Sequence, residues 1–364
     1  MEGADKLLEK EKYVAWLSEL SKEDIGLVGG KGANLGEMYN AKFPVPPAFV
    51  VTTKAYEYFL SASGADVEIN KIIDTINVDN TKELDEKAKQ IHEIVVNSKM
   101  PEDLQKEILE EYDNFNADLT SIQNTTALSI MKNAREPIFV SVRSSATAED
   151  LKDSSFAGQQ ESFINVKGNS DVIDSVKKVF ASIFTARSIY YRKKKGFKSM
   201  VGIAAIVQKM INSQKSGVIF SNDPVNQNTN ILIEAVFGQG EGIVSGRIKP
   251  DQYLVSRELD IIKEEISDKK TAIVRDSQGV TKIVQLTEEK SKQRVLKLHE
   301  VKELADYAMK LEEHYKAPQD IEFAIEEDIF ILQTRPITTL KELGKNKNLS
   351  GNVLCSGLAA SGGI

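Results

Sequence analysis

Cysteine is almost absent from the 364-residue sequence, which contains only Cys355. A single cysteine cannot form an internal disulfide or a thiolate metal cluster, and this usage is typical of a reducing cytoplasm. The sequence also lacks any run of about eighteen apolar residues, and residues 1–12 are charged where a signal peptide would be apolar. We therefore expect a soluble, cytoplasmic protein that does not span a membrane.

An excess of positive charge is absent as well. The chain has 47 Lys and Arg residues against 54 Asp and Glu residues, a formal charge of -7. General affinity for nucleic acid or for an anionic membrane selects a net positive face, so neither class of partner is expected. A charged substrate would have to be bound by a local basic site.

The chain is long enough for two packed units, because 364 residues exceed one ordinary core. We place the boundary near residue 200, which gives an N-terminal domain of residues 1–200 and a second domain of residues 201–340. The second domain is expected to contain its own sheet, built from four strand-like runs: 203–210, 216–221, 230–237 and 252–255. Residues 341–350 are polar and lysine-rich and are interpreted as a linker.

Residues 141–163, SVRSSATAEDLKDSSFAGQQESF, follow directly from a predicted strand. Alternation over 137–143 places Arg143 on the face opposite to Val140 and Val142. An arginine fork suits phosphate oxygens, and Gly158 would let the loop backbone approach an anion closely. The stretch predicts a phosphate cradle, with a solvent loop in which Arg143 pairs an acidic neighbour as the open alternative.

A second candidate for anion binding is the segment Gly29-Gly30-Lys31-Gly32, which we interpret as a glycine turn opening a helix over 33–39. It does not match a nucleotide-binding Walker loop, because Lys31 is followed by glycine. A lysine at a helix start nevertheless places positive charge where anions bind well. The alternative is an ordinary helix-start turn.

Two alternating runs, 320–326 and 329–335, predict a hairpin near the end of the second domain. A two-residue turn at Glu327-Asp328 would place Glu322 opposite Gln333, although Glu-Asp is not a favoured tight-turn sequence. Cross-strand Cβ atoms lie only about 5 Å apart, close enough for a carboxylate and an amide oxygen to bind one ion. Magnesium prefers such oxygen ligands and completes its shell with phosphates.

Six motifs along the chain stand out together. They are Val28-Gly29-Gly30-Lys31-Gly32-Ala33-Asn34-Leu35-Gly36-Glu37, the 141–163 stretch, Phe180-Ala181-Ser182-Ile183-Phe184-Thr185-Ala186-Arg187, Val207-Gln208-Lys209-Met210, Glu234-Ala235-Val236-Phe237-Gly238 and Leu332-Gln333-Thr334-Arg335-Pro336. Together they resemble the nucleotide-binding domain of the phosphoenolpyruvate synthase (pyruvate, water dikinase) family. The matches follow the family order over residues 13–340 and are highly specific for the wider dikinase group.

The resemblance implies an α+β fold of the ATP-grasp type, in which two lobes clasp ATP with Mg2+. It further implies transfer of the β-phosphoryl group of ATP to a histidine on a separate swivelling domain, with release of AMP and phosphate. A barrel domain then passes the phosphoryl group to pyruvate. The chemistry needs positioning and charge neutralisation more than covalent catalysis.

The same resemblance assigns roles to individual residues. Lys31, Arg143 and Arg335 are implied to be catalytic and to bind phosphate. The other implied ATP-binding residues are Gly158 and Ser162 in the phosphate loop, Gln208 near the adenine, and Arg187, which equally suits a structural ion pair. Glu322 and Gln333 are the implied magnesium ligands.

One departure from the family pattern limits the activity of this chain. The family's phosphoryl-accepting histidine lies in a Thr-Ser-His motif, whereas His92, His299 and His314 have no such setting. Residues 351–364 look like the truncated start of the swivelling domain. We therefore expect a fragment that binds ATP and Mg2+ and reaches pyruvate only through a missing domain. A rifamycin-type antibiotic phosphotransferase and a non-catalytic nucleotide-binding module are the alternatives.

Overall fold

The computed structural model describes residues 12–115, 137–147, 161–195, 202–224, 228–244 and 246–337. These residues form two compact units of mixed α and β structure. The first contains the described residues up to Asn212 together with Arg275–Lys282, and the second contains Ser213–Val274 and the described residues from Ile283 onward. Gly158, the 341–350 linker and residues 351–364 lie outside the described residues.

The first unit is built on a five-stranded antiparallel sheet with the order β1-β2-β5-β3-β4. Its strands are β1 (Val14–Trp16), β2 (Ala48–Val51), β3 (Phe139–Ala146), β4 (Ser162–Lys167) and β5 (Ile203–Lys209). Because side chains alternate along β3, Val140 and Val142 enter the main core while Arg143 points to the opposite face. The predicted alternation around Arg143 is therefore confirmed.

Helices account for most of the remaining first unit. They are α1 (Ile25–Asn40), α2 (Thr53–Ser63), α3 (Ala65–Thr75), α4 (Thr81–Asn97), α5 (Glu102–Asn114), α6 (Asn169–Ala181) and α7 (Ala186–Lys195), with short 3-10 helices at Leu17–Glu19 and Lys22–Asp24. Helices α2 to α7 contribute apolar side chains to the core on the Val142 face of the sheet. Across the described residues, no helix has the length and apolar character needed to cross a bilayer.

The second unit contains a six-stranded antiparallel sheet with the order β13-β12-β6-β7-β8-β9. Its strands are β6 (Lys215–Phe220), β7 (Ile231–Phe237), β8 (Asp251–Val255), β9 (Ile261–Glu265), β12 (Gln319–Ile325) and β13 (Ile329–Pro336). The further elements are the short helices α8 (Glu241–Val244) and α9 (Glu288–Ser291) and the long helix α10 (Leu298–Tyr315). A separate hairpin of β10 (Thr271–Arg275) and β11 (Thr281–Gln285) is divided between the units, since its Arg275–Lys282 portion belongs to the first. Helix α10 packs on the sheet through β6, β7, β8 and β12.

Two sequence-based expectations about these elements are wrong. Strand β5 was expected in the second sheet, but it pairs with β2 and β3 of the first sheet. Apolar residues from Asp171 onward recur at spacings of three and four, which predicts one amphipathic helix over 171–195, whereas the structure has α6 and α7. A second helix, α7, begins after α6 because Thr185 caps its N-terminus: the Ser188 amide donates to Thr185 Oγ1 at 3.1 Å.

Two lysines near the C-terminal end of α7 contact the connection between α3 and α4. Lys193 Nζ donates to the carbonyl oxygens of Ile73 (2.7 Å), Asp74 (3.2 Å) and Ile76 (2.8 Å) at the C-terminal end of α3. Lys194 Nζ lies 2.7 Å from Asp79 in the loop that follows. A lysine at a helix C-terminus satisfies carbonyls that have no partner within the helix. These two lysines therefore tie α7 to the α3–α4 connection.

Tyr112 provides a test of how the first unit is held together. Its hydroxyl donates to the Ile138 carbonyl at 2.6 Å and accepts from the Gly168 amide at 3.0 Å, and burial raises its pKa. Replacing it with phenylalanine leaves both backbone groups without this partner. We expect Tyr112→Phe to lower the free energy of unfolding by about 1–3 kcal/mol, measured by urea denaturation. Tyr58→Phe, which removes an exposed hydroxyl bonded to Asp103, is the control, and an equal loss in both variants would contradict the assignment.

Candidate functional site

Helix α1 is interrupted at one residue, Gly29, whose φ of 70° and ψ of 171° are not helical. The chain is helical on both sides of this point, so the expected glycine turn before a helix at residue 33 is wrong. The break divides α1 into a first segment from Ile25 and a second segment from Gly30. Lys31 therefore lies in the first turn of a helical segment, where an anion is favoured by the helix dipole.

The end of β3 contacts this interruption. Ser145 Oγ accepts from the Gly32 amide at 3.0 Å and donates to the Val28 carbonyl at 2.7 Å. Lys31 Nζ donates to the carbonyl oxygen of Ser144 at 3.3 Å. The strand that carries Arg143 thus also contacts both the backbone and the ammonium group of the Lys31 region.

Register shows which candidate residues share a face of the first sheet. Arg143 pairs with Ser162 on β4 and with Ile206 on β5. Gln208, two residues beyond Ile206, points to the same face and pairs with Ser141. The sheet therefore places Arg143, Ser162 and Gln208 on one face, and Ser145 on that face contacts α1.

Gln208 and Arg187 differ in their surroundings. The Gln208 side chain is only 2% exposed and donates to the Pro46 carbonyl at 3.3 Å. Arg187 is exposed in the first turn of α7. Helix α6 runs back along β4, because Lys178 in its last turn lies over the Phe163 ring near the start of that strand. Arg187 follows α6 along the chain, in a helix that packs against α4.

In the second unit, the β12–β13 hairpin places Glu322 directly opposite Gln333, as predicted. The turn differs from the prediction, since Ile325 pairs with Ile329 and three residues, 326–328, connect the strands. The register shift after Glu322 leaves Leu332 as an extra residue in β13. This bulge compensates for the longer turn and preserves the expected pair.

The register predicted from the two alternating runs also pairs Asp320 with Arg335, and the structure confirms this pair. Arg335 Nε and Nη2 lie 2.9 and 2.7 Å from Asp320 Oδ2, and the arginine side chain is 65% exposed against 16% for the aspartate. Burial is the largest influence on the Asp320 carboxyl and raises its pKa, although the Arg335 guanidinium acts in the opposite direction. Arg335 is thus held beside the Glu322–Gln333 pair with much of its side chain facing solvent.

Two further polar residues share this face, and the sequence alone did not assign them a role. Glu234 on β7 and Gln252 on β8 lie in the same cross-strand row as Glu322, with Val218 of β6 between the two glutamates. Gln252 Nε2 donates to Glu234 Oε1 at 2.7 Å. Glu234 is the lone charged residue of the apolar strand Ile231–Phe237, which is the signal that could have identified it.

The donor set at Glu322 and Gln333 fits a hard divalent cation, because both side chains present oxygen to such an ion. No group of three or more His, Cys, Asp or Glu side chains suited to a metal occurs in the part of the chain that the structure describes. A magnesium ion at this pair would therefore need phosphate or water oxygens to complete six-fold coordination. The pair suits a metal that arrives with a phosphate ligand.

Comparison with known proteins assigns a family to this arrangement. Residues 25–351 match the family model described as pyruvate phosphate dikinase, AMP/ATP-binding domain. The probable phosphoenolpyruvate synthase of Methanocaldococcus jannaschii is 42% identical over 362 residues, covering 97% of this chain and 29% of that protein. The phosphoenolpyruvate synthase of Pyrococcus furiosus is 40% identical over 401 residues, covering 97% of this chain and 47% of that protein.

A third relative, the phosphoenolpyruvate synthase of Aeropyrum pernix, is 36% identical over 396 residues, again covering 97% of this chain and 47% of that protein. The chain thus spans between 29% and 47% of the length of the three curated relatives described. The similarity extends over almost all of this chain and only part of theirs.

Proposed function

Because the chain belongs to the pyruvate phosphate dikinase AMP/ATP-binding domain family, we propose that it binds ATP with Mg2+ in an ATP-grasp fold. In such a fold, residues of two lobes bind one nucleotide. The two proposed lobes correspond to the two units described above, with the boundary after Asn212 in place of residue 200, followed by the proposed 341–350 linker and the proposed start of a swivelling domain at 351–364. The observation that carries the proposal is the direct pairing of Glu322 with Gln333 beside Arg335.

The proposed roles follow from the chemistry of each group. Lys31 and Arg143 bind phosphate oxygens, since one is an ammonium at a helical N-terminus and the other a guanidinium fork. Arg335 contacts phosphate from the hairpin. The remaining proposed ATP contacts are Gly158, Ser162, Arg187 and Gln208. Neutralisation of the charge that spreads over the transferring oxygens is the main catalytic contribution of such cations.

Glu322 and Gln333 are the proposed ligands of the magnesium ion. When bound, magnesium neutralises phosphate charge and fixes the geometry of the triphosphate. The carboxylate supplies the negative charge that retains the cation, while the amide oxygen adds a neutral ligand. Arg335, whose charge is partly balanced by Asp320, then interacts with phosphate without displacing the cation.

We propose that the phosphoryl acceptor is a histidine on a swivelling domain, with AMP and phosphate released. In that reaction the histidine nitrogen forms a bond to the β-phosphorus and the bond to the AMP oxygen breaks, while water removes the terminal phosphate. Pyruvate is the proposed final acceptor, because the relatives are named phosphoenolpyruvate synthase. Supplying that domain in trans should yield phosphohistidine and AMP, and binding without transfer would refute this part of the proposal.

The nucleotide site itself is tested by isothermal titration of ATP in the presence of Mg2+. We expect Glu322→Ala to raise the Kd for Mg·ATP about tenfold or more, which corresponds to a loss of at least about 1.4 kcal/mol. Glu327→Ala removes an exposed carboxylate from the turn of the same hairpin and should bind like the parent. If Glu322→Ala and Arg143→Ala both retain the parental affinity, the proposed site is wrong.

A further inference from the structure

The Ser145 hydroxyl lies where the backbone of a continuous helix would form its own hydrogen bond. In a continuous α-helix, the Gly32 amide would donate to the Val28 carbonyl, four residues earlier. Here the Ser145 hydroxyl accepts from Gly32 at 3.0 Å and donates to Val28 at 2.7 Å. The hydroxyl is therefore inserted into the hydrogen-bond ladder of α1, a recognised cause of helix kinks.

The surroundings leave little freedom for this arrangement. Ser145 is completely buried. A Cβ atom at Gly29 would lie 2.4 Å from both the carbonyl oxygen and Oγ of Ser145, so the strand and the kink are in direct contact. A second hydroxyl, Thr53 Oγ1, donates to the Gly26 carbonyl at 3.0 Å in the first segment of α1. Side chains from β3 and α2 thus satisfy carbonyls at the interrupted part of the helix.

We infer that Ser145 is a positioning residue that presents Lys31 to the phosphates of the nucleotide. The inference rests on the proposed function, in which Lys31 binds phosphate. Ser145 fixes the amide of Gly32, next to Lys31, while the carbonyl of Ser144 accepts from Lys31 Nζ at 3.3 Å. Two consecutive residues of β3 therefore set both the backbone and the ammonium position of one lysine. Ser145 acts through Lys31 and does not itself touch the nucleotide.

The test is a double-mutant cycle of Ser145→Ala and Lys31→Met, with Kd values for Mg·ATP measured by titration. We expect Ser145→Ala alone to raise this Kd about tenfold, the equivalent of about 1.4 kcal/mol. In the Lys31→Met background, the same change should alter the Kd less than about twofold, because the effects of two substitutions that act through the same group are not additive. The affinity for adenosine, measured by competition, should stay within twofold of the parent.

A merely structural serine would give a different result. Ser98→Ala removes another hydroxyl of the first unit, which donates at 2.7 Å to the Ile94 carbonyl, and should leave the Mg·ATP affinity unchanged. Equal losses for ATP and adenosine, or additive losses in the cycle, would overturn the inference. Ser145→Cys retains a weak donor of similar size, so an intermediate Kd is expected, and it replaces Ser145→Ala if the alanine variant does not fold. Absence of ATP binding by the parent would instead refute the proposed function itself.

Discussion

Replacing Lys269 with methionine is expected to lower the free energy of unfolding of the second unit by about 3–5 kcal/mol, the usual cost of leaving one member of a buried ion pair without its partner. The side chains of Lys269 and Asp251 are both fully inaccessible to solvent, and Lys269 Nζ forms an ion pair with Asp251 Oδ1. Methionine has a similar length but no charge. The variant would therefore bury the Asp251 carboxylate without its cation.

The Asp251 carboxylate also accepts hydrogen bonds from other groups, and these indicate which elements the substitution should destabilise. Its oxygens accept from the Ser267 amide at 2.9 Å and the Val295 amide at 2.8 Å. Tyr253, whose pKa is raised mainly by burial, lies 3.3 Å from Asp251 Oδ2 through its hydroxyl. This network joins β8 to the segment between β9 and β10 and to the segment between α9 and α10. Loss of Lys269 should accordingly weaken β8 and the approach to α10.

Lys270→Met is the matched control, because this neighbouring lysine is exposed. Guanidinium denaturation followed by circular dichroism gives the change in stability, and amide hydrogen exchange shows which strands lose protection. We expect Lys270→Met to stay within about 0.5 kcal/mol of the parent, as surface substitutions usually do. Equal stability of the Lys269→Met and Lys270→Met variants would show that the buried pair contributes nothing.

Local alternation was sufficient to predict the faces of several strands. The period of two placed Arg143 opposite the core residues Val140 and Val142, and it placed Glu322 opposite Gln333. The turn of that hairpin was wrong, yet the pair was right, because the extra residue in the turn is offset by the bulge at Leu332. Strand faces are thus encoded locally, whereas turn length is only one of the determinants of register.

Pairings between segments far apart in sequence could not be predicted from local alternation. Most residues of strand β5 are apolar, and its sequence contains no signal that distinguishes one sheet from the other. Its pairing with β2 and β3 was therefore not predicted. The insertion of Ser145 into α1 is a contact between residues far apart in sequence. From the glycines alone, the expected structure was a turn before a helix. The hydroxyl that allows helix on both sides of Gly29 lies on a strand whose position depends on the whole first sheet.

Gly29→Ala is expected to destabilise the first unit by about 3–5 kcal/mol and to abolish measurable binding of Mg·ATP. A φ of 70° with a ψ of 171° lies in a region that is essentially restricted to glycine and costs other residues about 1–3 kcal/mol. The added Cβ would also lie 2.4 Å from the Ser145 carbonyl oxygen, and relief of such overpacking costs about 1–3 kcal/mol more. Relief requires either α1 or β3 to move, and both elements position Lys31.

Gly26→Ala tests whether this effect belongs to the kink or to glycine replacement in general. Gly26 lies in the first segment of α1, and a Cβ atom there would meet nothing within 4 Å. Alanine at that helical position should leave stability unchanged or raise it by up to about 1 kcal/mol, with parental ATP affinity. Urea denaturation followed by Trp16 fluorescence reports on the first unit directly, since Trp16 is the single tryptophan. If Gly29→Ala were as stable as Gly26→Ala and bound ATP normally, the interruption of α1 could not be what places Lys31, and the role inferred for Ser145 would fall with it.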